Sequence, residues 1–571
     1  MSGAEYEWLD YDLSLPARLV GQIRHLTSLH AAITDEQLAA DASAMIEVTV
    51  QIPDLTSYPT PMGKAKILLE SAAEVEHALM VQYLYAGYSL KEVDEVEPAH
   101  QDVLDDNLEQ SWPQTLRAMA REEMGHLMTV QNLLLILDLL PNFDRQDFPF
   151  RSDLYPFELH LQPLTQSSLA KYVVAESPAD AAGIADIIEV ASAKAGSPIN
   201  RVGVIYGLLG LVFAREDQVA PGATGHPHWD AIVRVVAGAA YTQDGDRQRW
   251  HLPDSAFRPE SLAQQADPDD WRVGALRVHR IADRVAALDA LRDIGEQGEG
   301  PSGSGETSHF ERFLSIYRGD EQFEGFPKPR GWVPTRGIPR DPKPADFTVQ
   351  RTRDWAQLAD LRYALLLGYL SHYLSSSGDV RSLLTGWIVA EMRSRLGPLA
   401  RELTSMPVNS DSGSKEYAAA CFTLPNPIAL PNDEVARWRL HQQRTADAID
   451  ITQRLLSAEP EGPLNHFLAL LLTSDQARLQ TIKAMEEHQP ITPSSYVRDI
   501  QPLFRPKDIS HMADNDLRLD NLEEFTGAYG DIAFRISHIS ERFRMPSQPD
   551  PRWTPGQLRI LSQWIDDGLP P

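Results

Sequence analysis

Glu123 and His126, in the run Arg121-Glu122-Glu123-Met124-Gly125-His126, stand three residues apart, which sets a carboxylate and an imidazole on one face of a helix. That is the spacing of a metal-ligand pair. The rest of the face is apolar, since Leu116, Met119, Ala120, Leu127, Val130 and Leu134 recur on it at steps of three and four. A carboxylate aimed into such surroundings needs a counter-charge, a hydrogen-bonding partner or a metal ion. Taken alone, the pair fits a hydrogen bond inside a bundle as well as it fits a metal centre. Glu122 is offset, on the line of Ala118, Gly125 and Thr129, and reads as solvated or as a residue supporting the ligands from behind.

The elements that must position such groups are helical. Lys64 to Leu90 is free of Pro and Gly until Gly87, and two polar lines run along it. Glu76 shares a face with Ala72, Ala73, Leu79, Met80 and Tyr83, so it is the carboxylate directed at a core. Glu74 and His77 spell a second Glu-x-x-His but are expected to be a solvated pair at helical spacing.

Further helices are expected over Asp105–Leu140, near Leu169–Ala175, and over Val202–Ala214, Leu276–Asp293, Trp355–Leu374, Val380–Leu403, Asp433–Ala458 and Leu464–Glu487. The Val202–Ala214 helix has no acid in its interior. Pro221 to Pro253 reads as a variable Gly/Pro/His-bearing segment, and Pro301 to Gly305 as a Gly/Ser-rich break. The fold class is all-α, with long loop insertions.

A chain of 571 residues exceeds what one core usually supports, so two or more domains are expected. The longest apolar run, Leu133 to Leu140, is interrupted by Asp138 and too short to span a bilayer. A net charge of -29 argues against nucleic acid and anionic lipid as partners. The single cysteine, Cys421, rules out an internal disulfide, a thiolate metal cluster and covalent c-type haem. The acidic start MSGAEYEWLDYD lacks the pattern of a secretory signal, and a cytoplasmic location is expected.

Three stretches together carry a resemblance: Val75 to Ala86, Arg121 to Leu127 with Asn132-Leu-Leu, and Glu296-Gln-Gly-Glu-Gly300 with Ser308-His-Phe-Glu-Arg-Phe313. They resemble the ferritin-like domain of iminophenyl-pyruvate dimer synthases of violacein and indolocarbazole biosynthesis. The likeness spans about residues 58–425, including Tyr363 to Pro407. It implies a ferritin-like helical bundle binding one or two iron ions, or manganese, through Glu76, Glu123, His126, Glu296 and His309. Where the family often has an acid on the third bundle helix, this chain reads Gly203-Val-Ile-Tyr-Gly207. A bridging carboxylate is therefore expected to be missing, leaving a mononuclear or weakened dinuclear site, with Glu299 as a candidate substitute or as a solvated loop acid.

The tail has a separate resemblance, to small cytochrome c domains. Lys507-Asp-Ile-Ser-His511 stands where Cys-x-x-Cys-His would be, and Met545-Pro546 matches a distal methionine. Without the cysteines, a haem-free fold used for packing or docking is expected, with haem held only through His511 and Met545 as the other reading. The chain thus divides into an arm (1–57), a ferritin-like domain (58–425), a helical connector (426–490) and a haem-less cytochrome c-like domain (491–571).

The function implied is a non-haem metal-dependent oxidoreductase using dioxygen or peroxide on a small amine- or amino-acid-derived substrate. Oxidative imine coupling, fed by a partner flavin-dependent amine oxidase, is the form the resemblance suggests. Tyr83 or Tyr206 would tune the metal by hydrogen bonding, with ordinary core packing as the other reading. A homodimer is a possible assembly. The alternative function is a scaffold or binding protein whose bundle has lost catalytic chemistry.

Overall fold

The structure is a computed structural model that describes residues 52–106, 108, 110–149, 158–178, 181, 183–192, 201–219, 224, 226–271, 276–299, 307–319, 325, 333–410, 416–424, 430–431, 433–487, 495–513, 517–537, 553, 555–566 and 569–571. Among them there is no strand, only isolated bridges pairing Leu90 with Thr335 and Pro407 with Tyr417. Of the arm expected over residues 1–57, residues 1–51 lie outside the described residues.

The central element is α1, Pro61–Tyr88, which begins at Thr60, whose side chain accepts from the Gly63 amide, with Pro61 in the first turn. It is buried on nearly every side because α2 (Trp112–Ile136) packs along one face and other elements close the rest. That environment corrects the reading of Glu74 and His77 as solvated. Glu74 is 6% exposed and His77 not at all, its Nε2 meeting the Tyr363 hydroxyl.

Two short helices, α3 (Gln166–Ala175) and α4 (Ala185–Ser192), precede the apolar α5 (Gly203–Phe213). The segment read as variable contains α6 (Pro227–Asp244), where Trp229, Val233, Val236, Ala237 and Ala240 form a buried stripe. Helix α7, Arg284–Glu299, starts later than expected and continues through the Gly-rich stretch instead of ending at Asp293. Gly295 and Gly298 explain the continuation. A Cβ at Gly295 would lie 2.9 Å from the Trp229 ring, and one at Gly298 would lie 2.8 Å from Glu176 Oε2, so the missing side chains permit close packing. α8, His309–Arg318, follows, opened by a capping box between Ser308 and Glu311.

Beyond the site, α9 (Gln350–Tyr373) and α10 (Gly378–Ala390) lead into a π-helical turn, Glu391–Leu396, and α11 (Gly397–Leu403). The connector forms two long helices, α12 (Glu434–Ala458) and α13 (Pro463–Glu486). Trp438, Leu455 and Phe467 of these helices belong to the main hydrophobic cluster, so that core runs on past residue 425. A charged cluster ties the connector down. Arg362, Arg395 and Arg478 surround Glu391 and Asp475, with Arg395 Nη1 2.6 Å from Glu391 Oε1 and Arg362 Nη1 2.8 Å from Asp475 Oδ1. All five are buried.

The tail contributes α14 (Pro506–Ala513), α15 (Leu522–Ser537) and α16 (Pro555–Asp566) around a second apolar cluster that includes Val389 and Ala390 of α10. The tail therefore docks beside the π-helical turn.

Candidate metal centre

Five side chains from different elements converge between α1, α2, the end of α3, and the start of α8. Glu76 lies on α1, Glu123 and His126 on α2, Glu176 caps the C-terminus of α3, and His309 is the first residue of α8. All five are at most 5% exposed. Their donor atoms form two groups, Glu76–Glu123–His126 and Glu123–Glu176–His309, each with its ligand atoms within 4.8 Å of one another. Glu123 belongs to both. Its Oε2 lies 2.9 Å from His126 Nδ1 and its Oε1 3.0 Å from His309 Nδ1, so the carboxylate spans the two groups with one oxygen toward each.

Both imidazoles are oriented from behind. His126 Nε2 is 2.9 Å from Gln297 Oε1, and His309 Nε2 is 2.8 Å from Glu122 Oε2. Donation from Nε2 leaves the Nδ1 lone pair directed into the cluster. Glu122 is in turn gripped by Arg312, whose Nη1 lies 2.9 and 2.8 Å from its two oxygens. Two tyrosines complete the arrangement. Tyr83 donates to Glu176 Oε1 at 2.6 Å, and Tyr206 donates to Glu76 Oε1. Each tyrosine thus holds one oxygen of one outer carboxylate.

The electrostatics are those of charge held out of water. Burial and the Glu123 charge push the Glu76 carboxyl up to about 8 and the Glu176 carboxyl up to about 7. Burial also opposes ionisation of Glu123, but the charges and hydrogen bonds of His309 and His126 outweigh it and hold Glu123 below the usual carboxylate range. Burial likewise disfavours protonated imidazoles, yet Glu123 and its neighbours overcome this, raising His126 and pushing His309 up to about 10.

The donor set fits a metal. Glu76 Oε2, Glu123 Oε1 and His309 Nδ1 are buried without a well-aligned hydrogen bond, and their near polar neighbours are other ligand atoms: Glu76 Oε2 is 3.3 Å from His126 Nδ1 and Glu123 Oε1 is 3.0 Å from His309 Nδ1. An unmade buried hydrogen bond costs about 1–3 kcal/mol, and a cation would satisfy all three atoms. Three carboxylates and two imidazoles without a thiolate suit iron or manganese. The cavity among them, lined also by Leu79, Val202, Gly203, Tyr206, Ile294, Gly295 and Gly298, has a volume of ≈ 10 Å³. That is about the room one water needs.

Of the residues expected to bind metal, Glu76, Glu123, His126 and His309 come together here and Glu296 does not. Glu296 lies among the cavity-lining positions Ile294, Gly295 and Gly298 of α7 but points away from them, with its side chain 25% exposed and Oε1 3.4 Å from His226 Nδ1. Gln297, one residue on, reaches His126 instead. The side chain of Glu299 lies outside the described residues. The carboxylate expected to be missing is supplied by Glu176, from the end of α3 rather than from the acid-free α5. Its signal in the sequence is an acid closing the amphipathic stretch Leu169 to Ala175.

Residues 69–318, which contain all five side chains, match the ferritin-like family model. The chain carries a ferritin-like domain. A relative is dichlorochromopyrrolate synthase of Lentzea aerocolonigenes, 23% identical over 458 residues, covering 72% of this chain and 41% of the synthase. The chain therefore matches less than half the length of that relative. A ferritin-like protein from Caulobacter vibrioides, known as a crystal structure, is 16% identical with a TM-score of 0.33, over 59% of this chain and 93% of that one.

In the tail, the geometry is unlike a haem pocket. His511 is exposed on α14, and Met545 lies outside the described residues. The interior is filled by Tyr496, Phe504, Phe525, Trp553 and Trp564, with neighbouring ring centroids 5.1 to 5.7 Å apart. The described tail residues do not fit the group. Among the described residues no helix is long and apolar enough to cross a membrane.

Proposed function

We propose that the chain is a non-haem metal-dependent oxidoreductase with two adjacent ion positions, acting on a small amine- or amino-acid-derived substrate in oxidative imine coupling. The observation that carries this reading is the pair of ligand groups sharing Glu123, each with a carboxylate of its own and an inward Nδ1. Iron or manganese ions, when bound, supply the redox chemistry with dioxygen or peroxide.

The protein's part is orientation. Glu123 would offer one oxygen to each position. Gln297 and Glu122 fix the ring tautomers, and mutating such supporting groups commonly costs about 10- to 100-fold in affinity or activity. Tyr206 and Tyr83 anchor Glu76 and Glu176 through one oxygen each, leaving the other oxygen for an ion. The ≈ 10 Å³ cavity admits species the size of water or dioxygen and excludes an organic substrate from the ligands in this conformation. The imine would come from a flavin-dependent amine oxidase acting as partner, and the reaction belongs to specialised biosynthesis, as the synthase relative supports.

The same tight cavity favours a second reading, a ligand-bearing bundle that serves as a scaffold without turnover. One experiment separates them. The purified chain is loaded with Fe(II) without oxygen, then exposed to dioxygen while oxygen uptake and absorbance are followed. Uptake in proportion to bound iron, lost in Glu123→Ala, supports the oxidoreductase; bound iron that consumes no oxygen supports the scaffold.

A further inference from the structure

A second cavity, of ≈ 50 Å³, lies beside the metal centre, lined by Gly210, Ala214, Gln218, Val219, Thr224, Trp229, Asp230, Val233 and Leu288. The two cavities follow each other along α5. Gly203 and Tyr206 line the first, and Gly210 and Ala214 line the second. Tyr206 and Gly210 are one helical turn apart, roughly 6 Å along the axis.

What stands between the cavities is the indole of Trp229. A Cβ at Gly210 would meet its Cζ2 at 2.7 Å and a Cβ at Gly295 would meet its Cζ3 at 2.9 Å, so the ring is seated in a notch that two glycines leave open. Gly295 lines the metal cavity and Gly210 lines the other. Trp229 itself lines the second cavity, and on the other side it packs against Gly295 of the metal cavity's wall.

The second cavity holds an unexplained carboxylate. Asp230 is 5% exposed, and its Oδ1 accepts from the Thr224 hydroxyl at 2.7 Å. Its Oδ2 is buried without a hydrogen-bonding partner. A place in the first turns of α6 accounts for an acid there, and Thr224 accounts for one oxygen. Neither accounts for the second. The walls around it, Val219, Val233, Leu288 and the Trp229 ring, offer no positive charge.

We infer that this cavity is a binding subsite for a primary ammonium group on an apolar or aromatic stem, with Asp230 receiving the ammonium and Trp229 partitioning the subsite from the metal centre. A carboxylate in an apolar cavity selects a cation over a neutral isostere, because only the cation relieves the buried charge. By the same measure as the water-sized metal cavity, ≈ 50 Å³ accommodates a few such groups, an ammonium head with the adjoining carbons. This deepens the amine-substrate reading above and rests on it for its biological meaning, but its test needs no metal and no turnover.

The full chain, with and without bound iron, is titrated calorimetrically with 2-phenylethylammonium and with the neutral 2-phenylethanol. Saturable binding of the ammonium at one site per chain is expected, at least about tenfold tighter than the alcohol by the worth of a charge-assisted hydrogen bond. Asp230→Asn should reduce ammonium affinity to that of the alcohol, with circular dichroism unchanged. Val219→Phe, which fills the cavity from its half-buried rim, should abolish binding of both and stands in if Asp230→Asn does not fold. No binding, equal affinity for amine and alcohol, or full affinity in a folded Asp230→Asn or Val219→Phe chain would overturn the subsite. If ammonium binds as expected while the iron-loaded chain consumes no oxygen, the subsite stands and the oxidoreductase reading falls.

Discussion

Glu176 occupies the space that a side chain at Gly298 would fill: a Cβ there would lie 2.8 Å from Glu176 Oε2. The end of α3 and a bare turn of α7 are thus complementary, and the carboxylate of the second ligand group depends on a missing side chain on another helix.

Gly298→Ala should therefore act on one ion position. The methyl displaces the Glu176 carboxylate, while Glu76, Glu123 and His126 are untouched. A Mn(II) titration should show one position weakened by about 10- to 100-fold and the other retained. Equal weakening of both would mean that the alanine disturbs the bundle rather than the ligand.

The two tyrosines should separate in the same way. Tyr206→Phe removes the donor to Glu76, and Tyr83→Phe removes the donor to Glu176. Each should loosen its own position about tenfold or more, and the double variant should loosen both, with any departure from additivity reporting coupling through the shared Glu123. The measurement is the same titration on the three variants. If neither substitution changes affinity, the tyrosines are packing residues alone.

Much of this centre was legible in the chain. The apolar face around Glu123 and His126 announces a buried pair, and the surroundings of Glu76 mark it out from Glu74. Periodicity places a side chain on a face, but it does not say whether a helix has a free face. That is why His77 and Glu74 were misread: α1 is enclosed on nearly all sides. Glu176 was missed because a residue that ends a helix belongs to no periodic stripe. Glu296 is one residue away from Gln297, which faces the site, and the sequence does not separate the two because the glycines that bring α7 close also make its facing positions featureless. α6 was overlooked because its flanking Gly and Pro residues obscured a buried stripe headed by Trp229.

A pH prediction concerns the connector. The buried Glu391 has burial working against its charge, but Arg362, Arg395 and Arg478 outweigh this and lower its carboxyl to about 2, from an ordinary 4.5. A carboxylate with a depressed folded pKa contributes stability above its unfolded pKa and loses it as pH falls toward the folded value. The contribution is on the order of 3 kcal/mol, present above about pH 4.5 and lost between about 4.5 and 2. Glu391→Gln should lower the Tm at pH 7, because three buried guanidiniums then lose the carboxylate charge they share, at a cost of roughly 3–5 kcal/mol. It should also flatten the fall of Tm across the acid window. Scanning calorimetry at pH 7, 4 and 3 checks both, and parallel curves for parent and variant would refute the assignment.

The most direct test of the account is metal stoichiometry. The parent chain, Glu176→Ala and Glu123→Ala are each purified, loaded with Fe(II) under anaerobic conditions, desalted and analysed for metal per chain by plasma mass spectrometry. Two shared ligand groups predict about two ions in the parent, about one in Glu176→Ala and almost none in Glu123→Ala, because Glu123 serves both groups. A parent chain without metal, or a Glu123→Ala chain that keeps the parent's full complement, would contradict it.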